Sequence, residues 1–125
     1  MPDVTCKRID DMEAAFRGEF GKARAELGVT SFGLQVLDFS PDATCHPEHD
    51  HAADGQEEIF AVFRGSGTFR VGGEELALTP DVLVRVGPAE TRKLVSGPDG
   101  LRLLALGGTP GRVYEIKPMS ELTSP

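Results

Sequence analysis

The sequence predicts an all-β fold, either a sandwich or a barrel, and two observations lead to this prediction. The chain of 125 residues contains 15 glycines, 9 prolines and no tryptophan, a composition typical of many short elements joined by tight turns. Beyond Gly28, turn signals recur roughly every eight to twelve residues between short apolar stretches, as in sandwiches and barrels. A chain of this length forms one domain and buries about two-thirds of its unfolded surface.

The first element is a predicted helix over residues 9–27. Asp10 and Glu13 form a capping-box pattern at its start. Gly18 and Gly21 each cost about 1 kcal/mol relative to alanine in a helix, so we expect this helix to be short or broken. The apolar stripe that would pack on a sheet or on a partner subunit consists of Met12, Phe16, Phe20, Ala23 and Leu27.

Strands are expected from Gly28, the predicted helix stop, onward. The predicted strands are residues 30–39, 58–63, 68–71, 74–78, 82–86, 92–95 and 101–106, with residues 49–51 on or beside another short strand. Gly72 and Gly73 supply the positive φ angles of a hairpin between two of these strands. Residues 65–67 and 97–100 are predicted to be turns. We therefore expect an N-terminal helical extension (1–28), a barrel (29–110) and a C-terminal tail packed on the barrel (111–125).

Charge and cysteine content exclude several classes of protein. The formal net charge of −7 argues against binding to nucleic acid or to an anionic membrane surface, because both need clustered lysine and arginine. Two cysteines, Cys6 and Cys45, are too few for a disulfide framework. The start of the chain has no secretory pattern, and no apolar run is long enough for a membrane span. We expect a cytoplasmic protein.

All three histidines of the chain fall within residues 46–51, and two of them suggest a metal site. His49 and His51 are two residues apart, so an extended strand points both imidazoles to one face. Glu58 opens the next apolar run, and its carboxylate can reach the same point from a neighbouring strand. Two imidazoles and one carboxylate suit Fe, Mn, Ni or Zn; otherwise these side chains are polar residues satisfied by hydrogen bonds in an open pocket. His46 has the wrong parity on a strand and is expected at the surface.

These residues resemble the first motif of the cupins. The order His-x-His, loop, Glu, six residues, Gly stands here as His49-Asp50-His51, Glu58 and Gly65, with a loop longer than is usual in that family. Residues 88–93 lie where the second motif, Pro-x-Gly-x-x-His, is expected. The resemblance covers roughly residues 30–110. It implies a double-stranded β-helix, or jelly-roll barrel, with a pocket in its mouth, commonly assembled as a homodimer.

The second motif departs from the family at Lys93, which stands where metal-binding cupins have a third histidine. A lysine ammonium about 4 Å from a divalent cation is repelled by roughly 8 kcal/mol at an effective dielectric near 20. Either the Lys93 ammonium therefore turns to solvent and leaves an open two-histidine, one-carboxylate set, or no metal binds and Lys93 pairs with Glu58. A slip of one residue puts Arg92 in this position, with the same consequence.

Three functions follow from these alternatives. The first is a metal-dependent small enzyme with dioxygenase- or isomerase-type chemistry at His49, His51 and Glu58. The second is a metal-free protein that binds a small molecule in the former metal pocket. The third is a dimeric structural or regulatory module. Fold alone does not decide among them.

Overall fold

One antiparallel sheet carries the fold in the computed structural model, which describes residues 2–123. The elements in chain order are a 3-10 turn (Ile9–Asp11), β1 (Ala14–Ala15), β2 (Phe20–Gly21), α1 (Ala23–Leu27), β3 (Gly33–Phe39), β4 (Glu57–Val71), β5 (Glu74–Leu78), β6 (Leu83–Val86), β7 (Arg92–Gly108) and a second 3-10 turn (Pro118–Ser120). The strand order is β1-β2-β3-β7-β4-β5, with β6 also paired to β4. The prediction of an all-β fold is confirmed.

Strands β4 and β7 pair along their whole lengths and bend together near the middle. The rings of Phe60 and Phe69, both on β4, lie with their centroids 4.7 Å apart. Nine residues of straight strand would separate these positions by about 30 Å, so β4 must fold back on itself. The ladder shifts register between Val62 and Arg64 and again between Gly65 and Gly67, which locates the bend.

The bend lets both halves of the sheet bury their inner faces against each other. Phe69, Leu78, Leu94 and Leu103 are almost completely inaccessible to solvent. The remaining members of this single core cluster are Leu37, Phe39, Phe60, Val62, Val86, Leu101 and Ala105. The core therefore lies between the two halves of the folded sheet, as in a barrel.

Two predicted turns are wrong, because residues 65–67 and 97–100 lie inside β4 and β7. Gly65 and Gly100 have φ angles of +81° and +80°, and Gly65 lies opposite Leu101 in the ladder. Glycine thus bends a continuous strand here instead of ending it. The hairpin predicted at Gly72 and Gly73 does form, with φ angles of 57° and 81°, and it connects β4 to β5.

The helix predicted over residues 9–27 is wrong except at its end, where α1 covers Ala23–Leu27 and Gly28 ends it with a φ of 76°. Phe16, Arg17 and Gly18 all have positive φ angles and reverse the chain between β1 and β2. β2 in turn pairs with β3. The two glycines that weaken a helix leave this segment free to extend the sheet by backbone hydrogen bonds instead.

A buried lysine fastens the two ends of the described chain together. Lys22 is 5% exposed, and its ammonium donates to the Glu13 carboxylate at 2.7 Å and to the backbone oxygen of Glu121 at 2.8 Å. Arg24, also buried, donates to the oxygen of Val29 at 2.8 Å. The bond from Lys22 to Glu121, with a second contact of 3.4 Å between Arg24 and the Glu121 carboxylate, holds the segment after β7 against the N-terminal segment.

The described residues contain no helix with the length and apolar character that crossing a membrane would require.

Candidate metal centre

A cavity of about 420 Å³ opens inside the barrel. Its apolar wall consists of Leu37, Phe60, Phe69, Leu94 and Ala105, together with Phe20. The polar and charged residues of the strands and loops that line it are Gln35, His46, His49, Asp50, His51, Asp54, Gln56, Glu58 and Arg92. The segment after β7 contributes Tyr114, Lys117, Met119 and Ser120. An apolar cavity with a few convergent polar groups is the usual form of a small-molecule site.

His49, His51 and Glu58 converge in this cavity. Each offers one ligand atom, and these atoms all lie within 4.8 Å of one another. The shortest contact joins His51 Nε2 to Glu58 Oε1 at 3.2 Å. The sequence predicted this convergence from the His-x-His spacing and from the position of Glu58.

Backbone pairing places the two imidazoles. The backbone N–H of His49 donates to the oxygen of Arg92 at 3.1 Å, and the N–H of Arg92 returns a bond to the oxygen of His49 at 2.9 Å. The N–H of His51 donates to the oxygen of Pro88 at 2.8 Å. Glu58 lies near the start of β4, opposite Val86 and Gly107. Three separate parts of the chain thus fix the group.

Hydrogen bonds set the orientation of both imidazole rings. His49 Nδ1 lies 3.0 Å from the backbone oxygen of Pro47, which can only accept, so Nδ1 carries a proton. His51 Nδ1 lies 3.2 Å from the carboxylate of Asp54, which fixes its proton in the same way. In the neutral Nδ1–H form of each ring the Nε2 lone pair is left for another partner, and in this structure His51 Nε2 lies 3.2 Å from Glu58 Oε1. This tautomer is the one a metal site with Nε2 ligands requires.

Asp54 is held as an anion beside His51. Burial alone would raise the pKa of its carboxyl, but the backbone N–H of Gln56 and the His51 ring lower that pKa to about 2. The Lys117 ammonium approaches the same carboxylate at 3.4 Å. In return, the pKa of His51 is raised, first by its hydrogen bond to Glu58, against the effect of burial, and further by Asp54.

Arg92 lies beside Glu58 and is the least exposed charged residue described, at 1%. Its NH1 donates to Glu58 Oε1 at 2.5 Å, its NH2 to the oxygen of Gly87 at 2.6 Å, and its Nε to the oxygen of Glu90 at 3.0 Å. Burial raises the pKa of Glu58, but His51 and then Arg92 outweigh it, so the pKa is lowered overall. His51 and the buried guanidinium of Arg92 together therefore favour the ionised form of Glu58.

Lys93 does not take the position expected for it. Its ammonium donates to the backbone oxygens of Thr44 and His46, and its side chain is absent from the cavity wall. Neighbouring strand residues point to opposite faces, so Arg92 faces the cavity and Lys93 faces away. Arg92 therefore takes the cavity-facing position expected for Lys93, which is the alternative with a slip of one residue.

Other histidine, glutamate and cysteine side chains close to His49, His51 and Glu58 do not belong to this group. His46 is not at the surface as expected: its ring packs edge-on against Phe39, and burial lowers its pKa to about 4. Its Nδ1 is buried without a hydrogen-bond partner among the described residues. Glu57 pairs instead with exposed Arg85, at 2.8 Å. The Cys45 thiol contacts Glu19 at 3.0 Å.

Comparison with solved structures identifies the fold of this chain. The sequence matches no protein-family model and no curated protein. Among solved structures, a cupin protein from Bacteroides fragilis superposes with a TM-score of 0.72 at 17% identity, covering 98% of each chain. The chain has the cupin fold. A sugar phosphate isomerase of the cupin superfamily from Silicibacter pomeroyi gives a TM-score of 0.69 at 15% identity, over 90% of this chain and 83% of that one. The cupin_2 domain of an XRE-family transcriptional regulator from Enterobacter cloacae gives 0.57 at 20% identity, over 66% and 86%.

Sequence reasoning missed the role of Asp54 in this cupin barrel. The one available signal was its position, three residues after His51 in the loop between His51 and Glu58. Carboxylates that accept from the outer nitrogen of a histidine ligand orient the ring and raise its basicity.

Replacing Asp54 by alanine is expected to weaken divalent-metal binding about 10- to 100-fold, because the His51 ring loses the acceptor that orients it. Metal titration followed by calorimetry measures the change. Asp50→Ala is the matched control, since Asp50 lies between the two histidines, lines the same cavity and accepts only the backbone N–H of Ala52 among the described contacts. An equal loss in both variants would contradict an orienting role for Asp54.

Proposed function

We propose that this chain is a small metal-dependent cupin that binds one divalent transition metal through His49, His51 and Glu58 and acts on a small organic molecule in the adjoining cavity. The observation that carries the proposal is the orientation of the rings. Both Nδ1 atoms are engaged by acceptors, so in neutral rings both Nε2 atoms could ligate a metal beside the Glu58 carboxylate, and the metal would replace the present 3.2 Å contact of His51 Nε2 with Glu58 Oε1. A set of two nitrogens and one carboxylate oxygen suits Fe(II), Mn, Ni or Zn, and leaves coordination positions for a substrate.

The metal would supply Lewis acidity toward a bound carbonyl or hydroxyl oxygen, or activate O₂ if it is iron. The remaining work falls to residues of the chain. Asp54 and the oxygen of Pro47 hold the imidazoles in place. The apolar wall, including Phe60, Phe69 and Leu94, limits the access of water to the reacting atoms. One structural neighbour is a sugar phosphate isomerase, which is consistent with isomerisation. Because its identity to this chain is low, that neighbour supports the fold alone.

A second candidate is a metal-free protein that binds a small molecule, and Arg92 favours it. The guanidinium contacts the same oxygen of Glu58 that His51 contacts. A divalent ion bound at that carboxylate would lie within about 5 Å of the guanidinium, where the repulsion is roughly 7 kcal/mol at an effective dielectric near 20. With its pKa raised, a protonated His51 between Glu58 and Asp54 satisfies these groups without a metal.

Metal content decides between the two candidates. The protein, purified without a polyhistidine tag, is reconstituted with Fe(II), Mn(II), Ni(II) and Zn(II) in turn, dialysed and measured by mass spectrometry. We expect about one equivalent in the wild type and a loss of at least about tenfold in His49→Ala and Glu58→Ala, because each removes a ligand. Glu57→Ala is the matched control: it removes the neighbouring carboxylate, which pairs with exposed Arg85.

Less than about a tenth of an equivalent in the wild type after reconstitution would reject the metal and leave the metal-free candidate. Equal losses in Glu57→Ala and Glu58→Ala would show that the metal is held elsewhere. A homodimer and a cytoplasmic location remain predictions from the sequence.

A further inference from the structure

A second cavity of about 480 Å³ adjoins the first, and its wall is almost entirely apolar. Its apolar wall consists of Phe16, Phe20, Leu37, Phe39, Pro47 and Met119. The other residues that line it are Glu19, Cys45, His46 and His49. We call this second cavity the Phe16 chamber.

The Phe16 chamber shares part of its wall with the metal centre. Phe20, Leu37, His46, His49 and Met119 line both cavities. His49 belongs to the proposed ligand set, so the chamber begins one side chain away from the proposed metal. A molecule that binds at His49 and is too large for the space beside it would extend into the Phe16 chamber.

The entrance of the chamber carries an exposed aromatic side chain in an unfavourable backbone conformation. Phe16 is 63% exposed and has a φ of 52°, followed by Arg17 at 60°. Positive φ is uncommon for a bulky residue and costs of order 1–3 kcal/mol. Phe16 meets the Phe20 ring edge-on, with centroids 6.1 Å apart. An exposed aromatic held at the rim of an apolar cavity is typical of a ligand-binding surface.

Charge decides which part of a ligand can lie in the Phe16 chamber. Glu19 is the one charged group among its described lining residues apart from the histidines, and its carboxylate contacts the Cys45 thiol. An anionic group would meet no cation there. In the first cavity the cations are Arg92 and Lys117, and Arg92 already donates to Glu58 and two backbone oxygens. Lys117 pairs with Asp54, so a phosphate group meets no cation in these cavities that lacks a partner among the described contacts.

We infer that the substrate is a small amphipathic molecule, with an oxygen-bearing head at His49, His51 and Glu58 and an aromatic or branched aliphatic arm in the Phe16 chamber. This inference rests on the proposed function for the position of the head, and it adds the chemical class of the arm. Apolar surface removed from water contributes about 25 cal/mol per Å² to the binding free energy. Burial of an aromatic arm in such a chamber should therefore raise affinity at least tenfold.

The test compares two probes that share a carboxylate head, 3-phenylpropanoate and propanoate, on metal-reconstituted protein by calorimetry. We expect 3-phenylpropanoate to bind at least about tenfold more tightly, because only this probe has an aromatic arm to bury. Phe16→Ala should reduce that advantage several-fold and leave the metal content unchanged. The matched control is Phe63→Ala, which removes a 48% exposed phenylalanine of β4 that lines neither cavity.

Two kinds of failure can be told apart by measuring metal in the same samples. Equal affinities for the two probes at full metal occupancy would overturn the amphipathic substrate and leave the metal proposal standing. A normal advantage for 3-phenylpropanoate in protein that takes up no metal would reject the metal and support the chamber. Equal effects of Phe16→Ala and Phe63→Ala would overturn the assignment of the arm to the Phe16 chamber, as would glucose 6-phosphate binding more tightly than 3-phenylpropanoate.

Discussion

Arg92→Met is expected to lower the free energy of unfolding by about 3–5 kcal/mol, the usual cost of removing one partner from a buried ion pair. Glu58, whose side chain is 12% exposed, would keep its charge with His51 as the remaining partner. The backbone oxygen of Glu90 would also lose the donor that Arg92 supplies, and that of Gly87 would keep only the N–H of Glu90. Denaturation by urea, followed by circular dichroism, measures the change.

The same variant should bind divalent metal at least about tenfold more tightly, because removal of the guanidinium ends its repulsion of a cation at Glu58. Arg85→Met is the matched control. Arg85 pairs with the adjacent glutamate, Glu57, but both side chains are well exposed, so we expect less than about 1 kcal/mol. Equal destabilisation by the two substitutions would contradict the importance assigned to burial. Unchanged metal affinity in Arg92→Met would contradict the electrostatic role of Arg92.

Gly65→Ala is expected to be at least as damaging, with a loss of more than about 3 kcal/mol. A Cβ atom at Gly65 would lie 2.1 Å from the backbone oxygen of Gly100, on the paired strand. The atoms that this Cβ would meet belong to the backbone of Gly100 and Leu101, so they cannot rotate away as a side chain would. Thermal and urea unfolding measure the loss.

Gly73→Ala separates the steric effect from the conformational one. Gly73 has the same φ angle of +81°, but a Cβ atom there meets nothing within 4 Å. We therefore expect only the cost of a left-handed alanine, about 1–2 kcal/mol. Equal losses of stability in Gly65→Ala and Gly73→Ala would contradict the idea that the close approach of β4 and β7 requires glycine at position 65.

The sequence predicted the grouping of His49, His51 and Glu58 better than the elements that hold them. The His49–His51 spacing and Glu58 carry their own geometric information, because side chains alternate along strands. Arg92 and Lys93 could not be separated in this way. Both are long cations, and a shift of one residue in the ladder exchanges their faces, so the choice depends on the pairing of Arg92 with His49.

The errors in the fold have a common cause in glycine. A glycine with positive φ ends a strand in one context, as at Gly72 and Gly73, and bends a continuous strand in another, as at Gly65 and Gly100. Local sequence does not distinguish these cases, because the outcome depends on whether a partner strand continues alongside. Of the apolar residues predicted to form a helical stripe over residues 9–27, Ala23 and Leu27 lie in α1, Phe20 lies in β2 and Phe16 is 63% exposed.

The pairing of His49 with Arg92 and of Glu58 with Gly107 also bears on when the site comes into existence during synthesis. A nascent chain that has emerged only as far as β6 already contains His49, His51 and Glu58, yet it lacks the strand that aligns them. The three side chains become a preorganised group only after β7 has been translated and has paired along β4. Until then the ribosome-bound chain presents two neighbouring histidines on a peptide that still has to fold.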